Sequence, residues 1–408
     1  MTDIQKENKS GGKVPNLRFP SFEGEWEVKK LGEIAEKIGD GLHGTPSYTD
    51  ESNYYFINGN NLINGKIEIT ENTKKIDAKT FLKNDKNLRK NTLLISINGT
   101  IGNIAKYNNE NVMLGKSVGY FNFEENSDFL YFVLQTSPVQ EHFKSELTGS
   151  TIKNLSLKTL RETNLRLPSQ DEQQKVASFL SLIDERITTQ SKIINDLKTL
   201  KTATAKKIFS QEFRFKDDKG NDFSEWEEIL LGEVMSIPEK TKAQNIDKNK
   251  LLTVKLHLKG VLKNDNTDTL SFGATNYFIR KKGQFIYGKQ NLFNGAFDII
   301  PDEFDGFLSS GDVPTLEINN SKINSSFLLY LMGRKEFYKP LEDFATGSGS
   351  KRIHEKTLLG IKIPFPSLPE QTKIANFLSA IDSKIDMETQ LLQKLEEQKK
   401  FLLQNMFV

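Results

Sequence analysis

The chain has 408 residues, with 56 Lys and Arg against 54 Asp and Glu, four His and no Cys. Without Cys there is no disulfide framework, thiolate metal site or Cys nucleophile, and a net charge of +2 leaves any basic surface to local clustering. No apolar run approaches membrane-spanning length, and residues 1–13 lack the apolar core of a secretory signal, so a cytoplasmic protein is expected.

Residues 1–14 are polar with Gly11-Gly12 and read as a disordered tail. A first globular domain is expected over 15–168. Its β-rich runs at 54–57 and 92–97 alternate with the turn signals Asn58-Gly59 and Asn64-Gly65, and helix is expected near 127–136 and 158–161. The mixture predicts an α/β or α+β domain. From 171 to 210 there is neither Gly nor Pro. Val176, Leu180, Ile183, Ile187, Ile194 and Leu197 fall at alternating steps of four and three, a heptad seam interrupted at Gln190, Lys201 and Thr204. Residues 169–212 are therefore read as one long helix, with Pro168 closing the preceding strand and Ser169 able to cap. A second domain is expected over 213–366. A second helix over 367–408 has its seam at Ile374, Leu378, Ile381, Ile385, Leu392 and Leu395, interrupted at Glu388 and Lys399.

The second half repeats the first. Thr148-Gly149-Ser150 recurs as Thr346-Gly347-Ser348, Pro168-Ser169 as Pro366-Ser367, Glu172-Gln173 as Glu370-Gln371 and Ile183-Asp184 as Ile381-Asp382, all at an offset of 198 (366 − 168). Trp26-Glu27 with Leu31-Gly32-Glu33 recurs as Trp226-Glu227 with Leu231-Gly232-Glu233 at an offset of 200 (226 − 26). Even the seam interruptions Gln190 and Lys201 return as Glu388 and Lys399. A duplication this long predicts two similar heads in a pseudo-two-fold molecule, their two helices paired as an antiparallel coiled coil. About 33 helical residues would span roughly 50 Å and act as a ruler.

Catalytic signatures are missing: there is no P-loop, no G-x-S-x-G elbow and no nuclease cluster, and Asn291-Leu292-Phe293 lacks the prolines of an adenine-methylation motif. His43, His142, His257 and His354 have no metal-ligand spacing. Binding signals are better. Each head ends in a small hydroxyl-rich turn followed by cations: Ser150, Thr151, Lys153 and Asn154 in the first, and Ser348, Ser350, Lys351 and Arg352 in the second. Gly lets backbone amides approach an anion, hydroxyls donate, and Lys or Arg pairs with phosphate. The first head adds the loop of His43 and Thr45, then Asn60, Asn98, Thr100, Lys116 and Ser117, side chains suited to base edges and phosphates. The second offers Lys255, His257, Lys289 and Gln290 instead. Any one of these residues singly is as well explained by turn chemistry. Retained frame with altered contacts is the pattern of two heads reading two different targets.

The chain resembles the specificity (S) subunit of bacterial type I restriction-modification systems. The resemblance rests on Arg18-Phe19-Pro20-x-Phe22-x-x-x-Trp26 with Leu31-Gly32-Glu33 and its Trp226 copy, on Gly41-x-His43-x-Thr45-Pro46, on the Thr-Gly-Ser turns, and on Leu167-Pro168-x-x-x-Glu172-Gln173 with Phe365-Pro366-x-x-x-Glu370-Gln371. It implies a non-catalytic, DNA-binding subunit with two target recognition domains, each reading half of a split asymmetric double-stranded site. It also implies helices that set the gap and dock two modification (methyltransferase) subunits, through which two restriction subunits join. S-adenosylmethionine, ATP and magnesium would belong to those partners, with no cofactor or metal in this chain. The second head has no equivalent of the His43–Thr45 loop, so its contacts cannot be copied from the first. A tandem binding module for a protein or RNA ligand on the same frame is the alternative; an unrecognised enzyme is the third class.

Overall fold

The computed structural model describes residues 13–125, 127–149, 153–265, 275–347 and 349–408. Two long helices, Gln170–Phe209 and Leu368–Asn405, run through the chain. They contribute to two compact units, Met1–Lys192 with Thr389–Val408, and Ile193–Glu388.

Unit one is built on a four-stranded antiparallel sheet in the order Lys37–Asp40, Val118–Asn122, Thr92–Ser96, Ile104–Lys106. A three-stranded sheet (Lys75–Ile76, Tyr54–Ile57, Val112–Leu114) lies in the same unit, with one parallel pairing between its last two strands. The helix expected near 127–136 is Asp128–Val133, and that near 158–161 is Leu157–Glu162. Unit two repeats the four-stranded order with Met235–Ser236, Thr315–Ile318, Phe285–Tyr287 and Phe297–Ile299. The fold of each unit is the mixed α/β class that the residue pattern predicts.

Each duplicated motif has a structural task. In unit one, Glu27–Lys30 pairs antiparallel with Asn164–Leu167, joining the first strand to the last; in unit two, Glu227–Leu230 pairs with Lys362–Phe365. The Leu-Gly-Glu turn follows. Leu31 and Leu231 are fully buried, and their amides donate to Thr163 O (2.8 Å) and Ile361 O (2.9 Å). Glu33 and Glu233 turn back to accept from the amides of Lys30 (3.1 Å) and Leu230 (2.9 Å), satisfying donors that the turn would orphan. Trp26 packs edge-on against Phe129 and Phe407, and Trp226 against Phe327 and Phe209, so in both units the indole seals the end of a long helix.

The Glu-Gln dipeptide anchors each long helix. Gln173 and Gln371 donate to Pro168 O (2.9 Å) and Pro366 O (2.8 Å). Glu172, nearly fully buried, receives Arg18 Nε and Nη2, both at 2.7 Å. Glu370 receives Arg214 Nε (3.2 Å) and Nη2 (3.0 Å). Burying a carboxylate is costly unless it is paired and hydrogen-bonded, and a two-point guanidinium contact meets that condition. The copies differ in one respect: Glu370 also accepts from Trp226 Nε1 at 3.1 Å, while Trp26 Nε1 is buried without a partner.

Within each unit the two helix segments run antiparallel. In unit one Val176, Leu180 and Ile183 pack in one core with Leu402 and Met406; in unit two Ile374, Ala375 and Leu378 share a core with Ile208 and Phe209. Of the remaining seam positions, Ile194 and Leu395 are buried, and Ile187, Leu197, Ile381, Ile385 and Leu392 are half-buried. The interruptions Lys399 and Lys201 are ends of ion pairs. Lys399 Nζ lies 2.8 Å from Asp184, and Lys201 Nζ lies 2.6 Å from Asp382. Both partners come from the repeated Ile-Asp dipeptide. An aromatic ring covers each pair, Tyr131 beneath Lys399 and Tyr330 beneath Lys201. Tyr330 donates to Asp382 at 2.7 Å; burial, with the carboxylate beside it, pushes its hydroxyl up to about 12.

Candidate nucleic-acid interface

In unit one, five loops are tied into one surface by a chain of hydrogen bonds. Leu42 donates to Leu114 O (2.7 Å) and Gly41 to Val118 O (3.0 Å), fixing the loop of His43 and Thr45 beside residues 115–117. Gly59 donates to Ser117 Oγ (2.9 Å), which donates to Asn58 Oδ1 (3.0 Å). Ile97 donates to Ser117 O, and Leu155 donates to Ile97 O, both at 2.9 Å. Asn98, its amide nitrogen turned inward, reaches Lys153 O at 3.2 Å and Asn154 Oδ1 at 2.9 Å. The Thr-Gly-Ser turn closes on itself, with Thr148 and Asn154 exchanging backbone hydrogen bonds of 3.0 and 2.9 Å. A Cβ at Gly41 would lie 2.2 Å from Leu114 O, so only glycine fits there.

This arrangement divides the unit-one candidates. His43, Thr45, Asn60, Thr100, Lys116 and Lys153 are exposed. Asn98, Ser117 and Asn154 are half-buried and spend their polar atoms on holding the loops. Ser150 and Thr151, like Ser348 of the second copy, lie outside the described residues. His43 Nε2 is 2.6 Å from Asp40 Oδ2. Lys116 and Lys153 make no ion pair among the described residues.

Unit two builds the same frame with other side chains. Thr346 and Arg352 exchange backbone hydrogen bonds of 2.9 and 2.8 Å, Ile353 donates to Lys289 O (2.9 Å), and Lys289 donates to Asp312 O (2.9 Å). These match the bonds of Thr148 with Asn154, Leu155 with Ile97, and Ile97 with Ser117. Gly347 adopts φ 122°, and a Cβ there would meet Ser350 O at 2.5 Å; Gly149 in the first copy has φ 95°. The glycine of the repeated turn is therefore a backbone requirement. Lys255 and His257 are exposed on the neighbouring hairpin turn. His257 and Leu258 both have positive φ, of 61° and 57°, a conformation costing about 1–2 kcal/mol per residue. Their amides donate to Asn294 O (2.9 Å) and Gly295 O (2.8 Å), which holds the strained turn against the loop that follows Lys289 and Gln290.

The cations of unit two are also partnered differently. Lys351 Nζ is 3.0 Å from Glu342, Arg352 Nη2 is 3.4 Å from Asp312, and Lys289 Nζ is 3.1 Å from Glu355, which also meets Lys240 at 3.4 Å. Gln290 is half-buried and Ser350 exposed. Asp312, Glu342 and Asp40 belong to these surfaces and were not legible as such. Asp312 becomes recognisable as the counterpart of Ser117 only through the matched backbone bonds, because the two copies share no residue pattern there. Among the described residues no cluster of His, Asp and Glu could hold a metal, and no helix is long and apolar enough to cross a membrane.

Two units with one backbone frame and two sets of loop side chains define a class: a tandem recognition scaffold. The type I restriction modification DNA specificity domain matches residues 23–199 and again 223–397, and the chain belongs to that family. It is a specificity subunit, the non-catalytic DNA-recognition component of such a system. It is 25% identical over 404 residues to the type I restriction enzyme MjaVIII specificity subunit of Methanocaldococcus jannaschii, covering 95% of this chain and 92% of that one. It is 24% identical over 336 residues to a putative type I specificity subunit of Mycoplasma genitalium, covering 79% and 82%. The crystal structure of a type I system S subunit from M. genitalium shares the fold at a TM-score of 0.60 and 19% identity, covering 97% of this chain and 99% of that one.

Proposed function

We propose that this chain reads a split, asymmetric double-stranded DNA site, one unit per half-site. In this reading the long helices set the gap and dock two modification subunits, through which two restriction subunits join. The observation that supports it is the contrast within one chain. Four backbone hydrogen bonds of the loop surface recur in both units, while the exposed side chains around them differ: His43, Thr45, Asn60 and Lys116 in one, Lys255, His257 and Ser350 in the other. A single ligand bound twice would favour retaining the contacts; two different half-sites favour retaining only the frame. Exposed Lys116, Lys153 and Lys351 are suited to phosphates, whose neutralisation supplies sequence-independent affinity, and the polar loop tips to base edges. Methyl transfer, ATP hydrolysis and cleavage reside in the partner subunits, with S-adenosylmethionine, ATP and magnesium, and the assembly works on cytoplasmic DNA.

The test is an exchange of residues 215–366 for the corresponding segment of another specificity subunit, followed by mapping of the methylated motif in cells expressing the system. One half-site should change and the other persist. A motif altered in both halves, or in neither, would overturn independent reading by the two units.

A further inference from the structure

Lys153, Lys351 and Arg352 look alike in the sequence, three cations after two matching turns. The structure separates the last from the others. Lys153 and Lys351 are exposed, whereas Arg352 is half-buried, its Nε shut off from solvent without a partner and its Nη2 3.4 Å from Asp312 Oδ2. The inner edge of the guanidinium is thus buried, and a single contact with Asp312 engages its Nη2.

The backbone at Asp312 is itself fixed. It lies on the connection between strands Leu308–Ser310 and Thr315–Ile318, which belong to different sheets. The buried Arg280 holds that turn with four hydrogen bonds, to Ser309 Oγ (2.7 Å), Thr315 Oγ1 (3.2 Å), Ser310 O (3.2 Å) and Val313 O (3.2 Å). Burial lowers the Arg280 guanidinium to about 10, so it stays charged at neutral pH. The backbone carbonyl of Asp312 accepts from Lys289, which ties the turn to the loop of Gln290.

The equivalent places in unit one, located by the same backbone bonds, are Ser117 and Asn154. Both members of the pair differ between copies while the frame around them does not. Unlike the ammonium of Lys351, a guanidinium is a planar fork that a neighbouring carboxylate can orient, and guanine presents two acceptors, O6 and N7, to that fork in the major groove.

We infer that Arg352 reads a guanine in the half-site of unit two and that Asp312 is its positioning residue. This rests on the reading of the chain as a DNA-recognition subunit. Lys351, one residue earlier, remains a backbone contact.

The experiment uses the full chain co-expressed with its modification subunits and a duplex library randomised across both half-sites, with binding measured from low to high salt. Arg352→Ala should erase the preference for guanine at one position of one half-site, a loss of roughly 5- to 150-fold in discrimination, and Arg352→Lys, which lacks the planar fork, should reduce it. Arg352→Lys should keep the salt slope. Asp312→Asn should weaken the same preference at the same position, which a merely structural role would not single out. The inference is overturned if Arg352→Ala keeps the preference for guanine, or if it weakens all sequences equally. A parent without selectivity at either half-site would instead sink the reading beneath it.

Discussion

Replacing Lys399 by Met removes the ammonium 2.8 Å from Asp184 while keeping an apolar stem beside Tyr131. The side chains of the pair are 19% and 27% exposed. An exposed ion pair contributes about 0.2–1 kcal/mol, and stripping one partner from a fully buried pair costs about 3–5 kcal/mol. A pair in between should lose about 1–3 kcal/mol, since Asp184 stays half-buried with the Tyr131 hydroxyl but no cation beside it. With a urea m-value of about 2 kcal/mol/M, the unfolding midpoint should fall by roughly 0.5–1.5 M. The chain supplies its own reporters: it has two Trp, one in each unit, so Trp226→Phe leaves only Trp26, in unit one. In that background Lys399→Met should lower the fluorescence midpoint, and adding Asp184→Leu should restore most of it, because an apolar pair fills the seam without a stranded charge. Lys201→Met with Trp226 as reporter is the matching test in unit two. A midpoint within about 0.2 M of the parent, or a double variant as unstable as the single one, would refute the view that these lysines are clasps.

Lys351→Ala should weaken binding to all DNA sequences alike and reduce the salt slope by about 0.9, read from titrations at several salt concentrations. Glu342→Gln, which releases Lys351 from its 3.0 Å pair, should strengthen binding to every sequence by up to about 5-fold, with base preference unchanged. Tyr330 has its folded pKa raised to about 12 from an unfolded value of 10. The folded state therefore holds the proton longer, and its contribution to stability is full below pH 10 and lost as pH rises towards 12; Tyr330→Phe should flatten that part of the alkaline unfolding curve read at Trp226. Gly347→Ala forces a side chain into φ 122° and against Ser350 O, at a cost of about 1–3 kcal/mol confined to the turn. DNA affinity should fall, and the urea midpoint at Trp226 should drop by roughly 0.5–1.5 M.

How much of this was legible in the residues depended on which physical constraint each one answers to. The long helices were readable because a period of 3.5 over many turns admits few other structures. The repeated motifs were visible as words, but their meanings were not. Glu172-Gln173 reads as a helix start, and only the coordinates show the glutamate gripping Arg18 and the glutamine gripping Pro168 O. In sequence Lys201 and Lys399 are defects in an apolar stripe; a one-dimensional pattern cannot show that the charge opposite each is the aspartate of the repeated Ile-Asp dipeptide. The loop surface was least legible. Asn98, Ser117 and Asn154 have the right chemistry for bases and use it on neighbouring loops, since a polar side chain that locks a loop looks in sequence like one that reads a ligand. Asp312 was invisible for the opposite reason, being an acidic residue where cations were sought. The duplication resolves this ambiguity. Where both copies agree, as at Glu172 and Glu370 or Lys399 and Lys201, the residue serves the frame. Where the backbone bonds agree and the side chains do not, as at Ser117 and Asp312, the side chain works differently in each head: Ser117 Oγ ties down the loop of Asn58 and Gly59, while the Asp312 carboxylate faces Arg352.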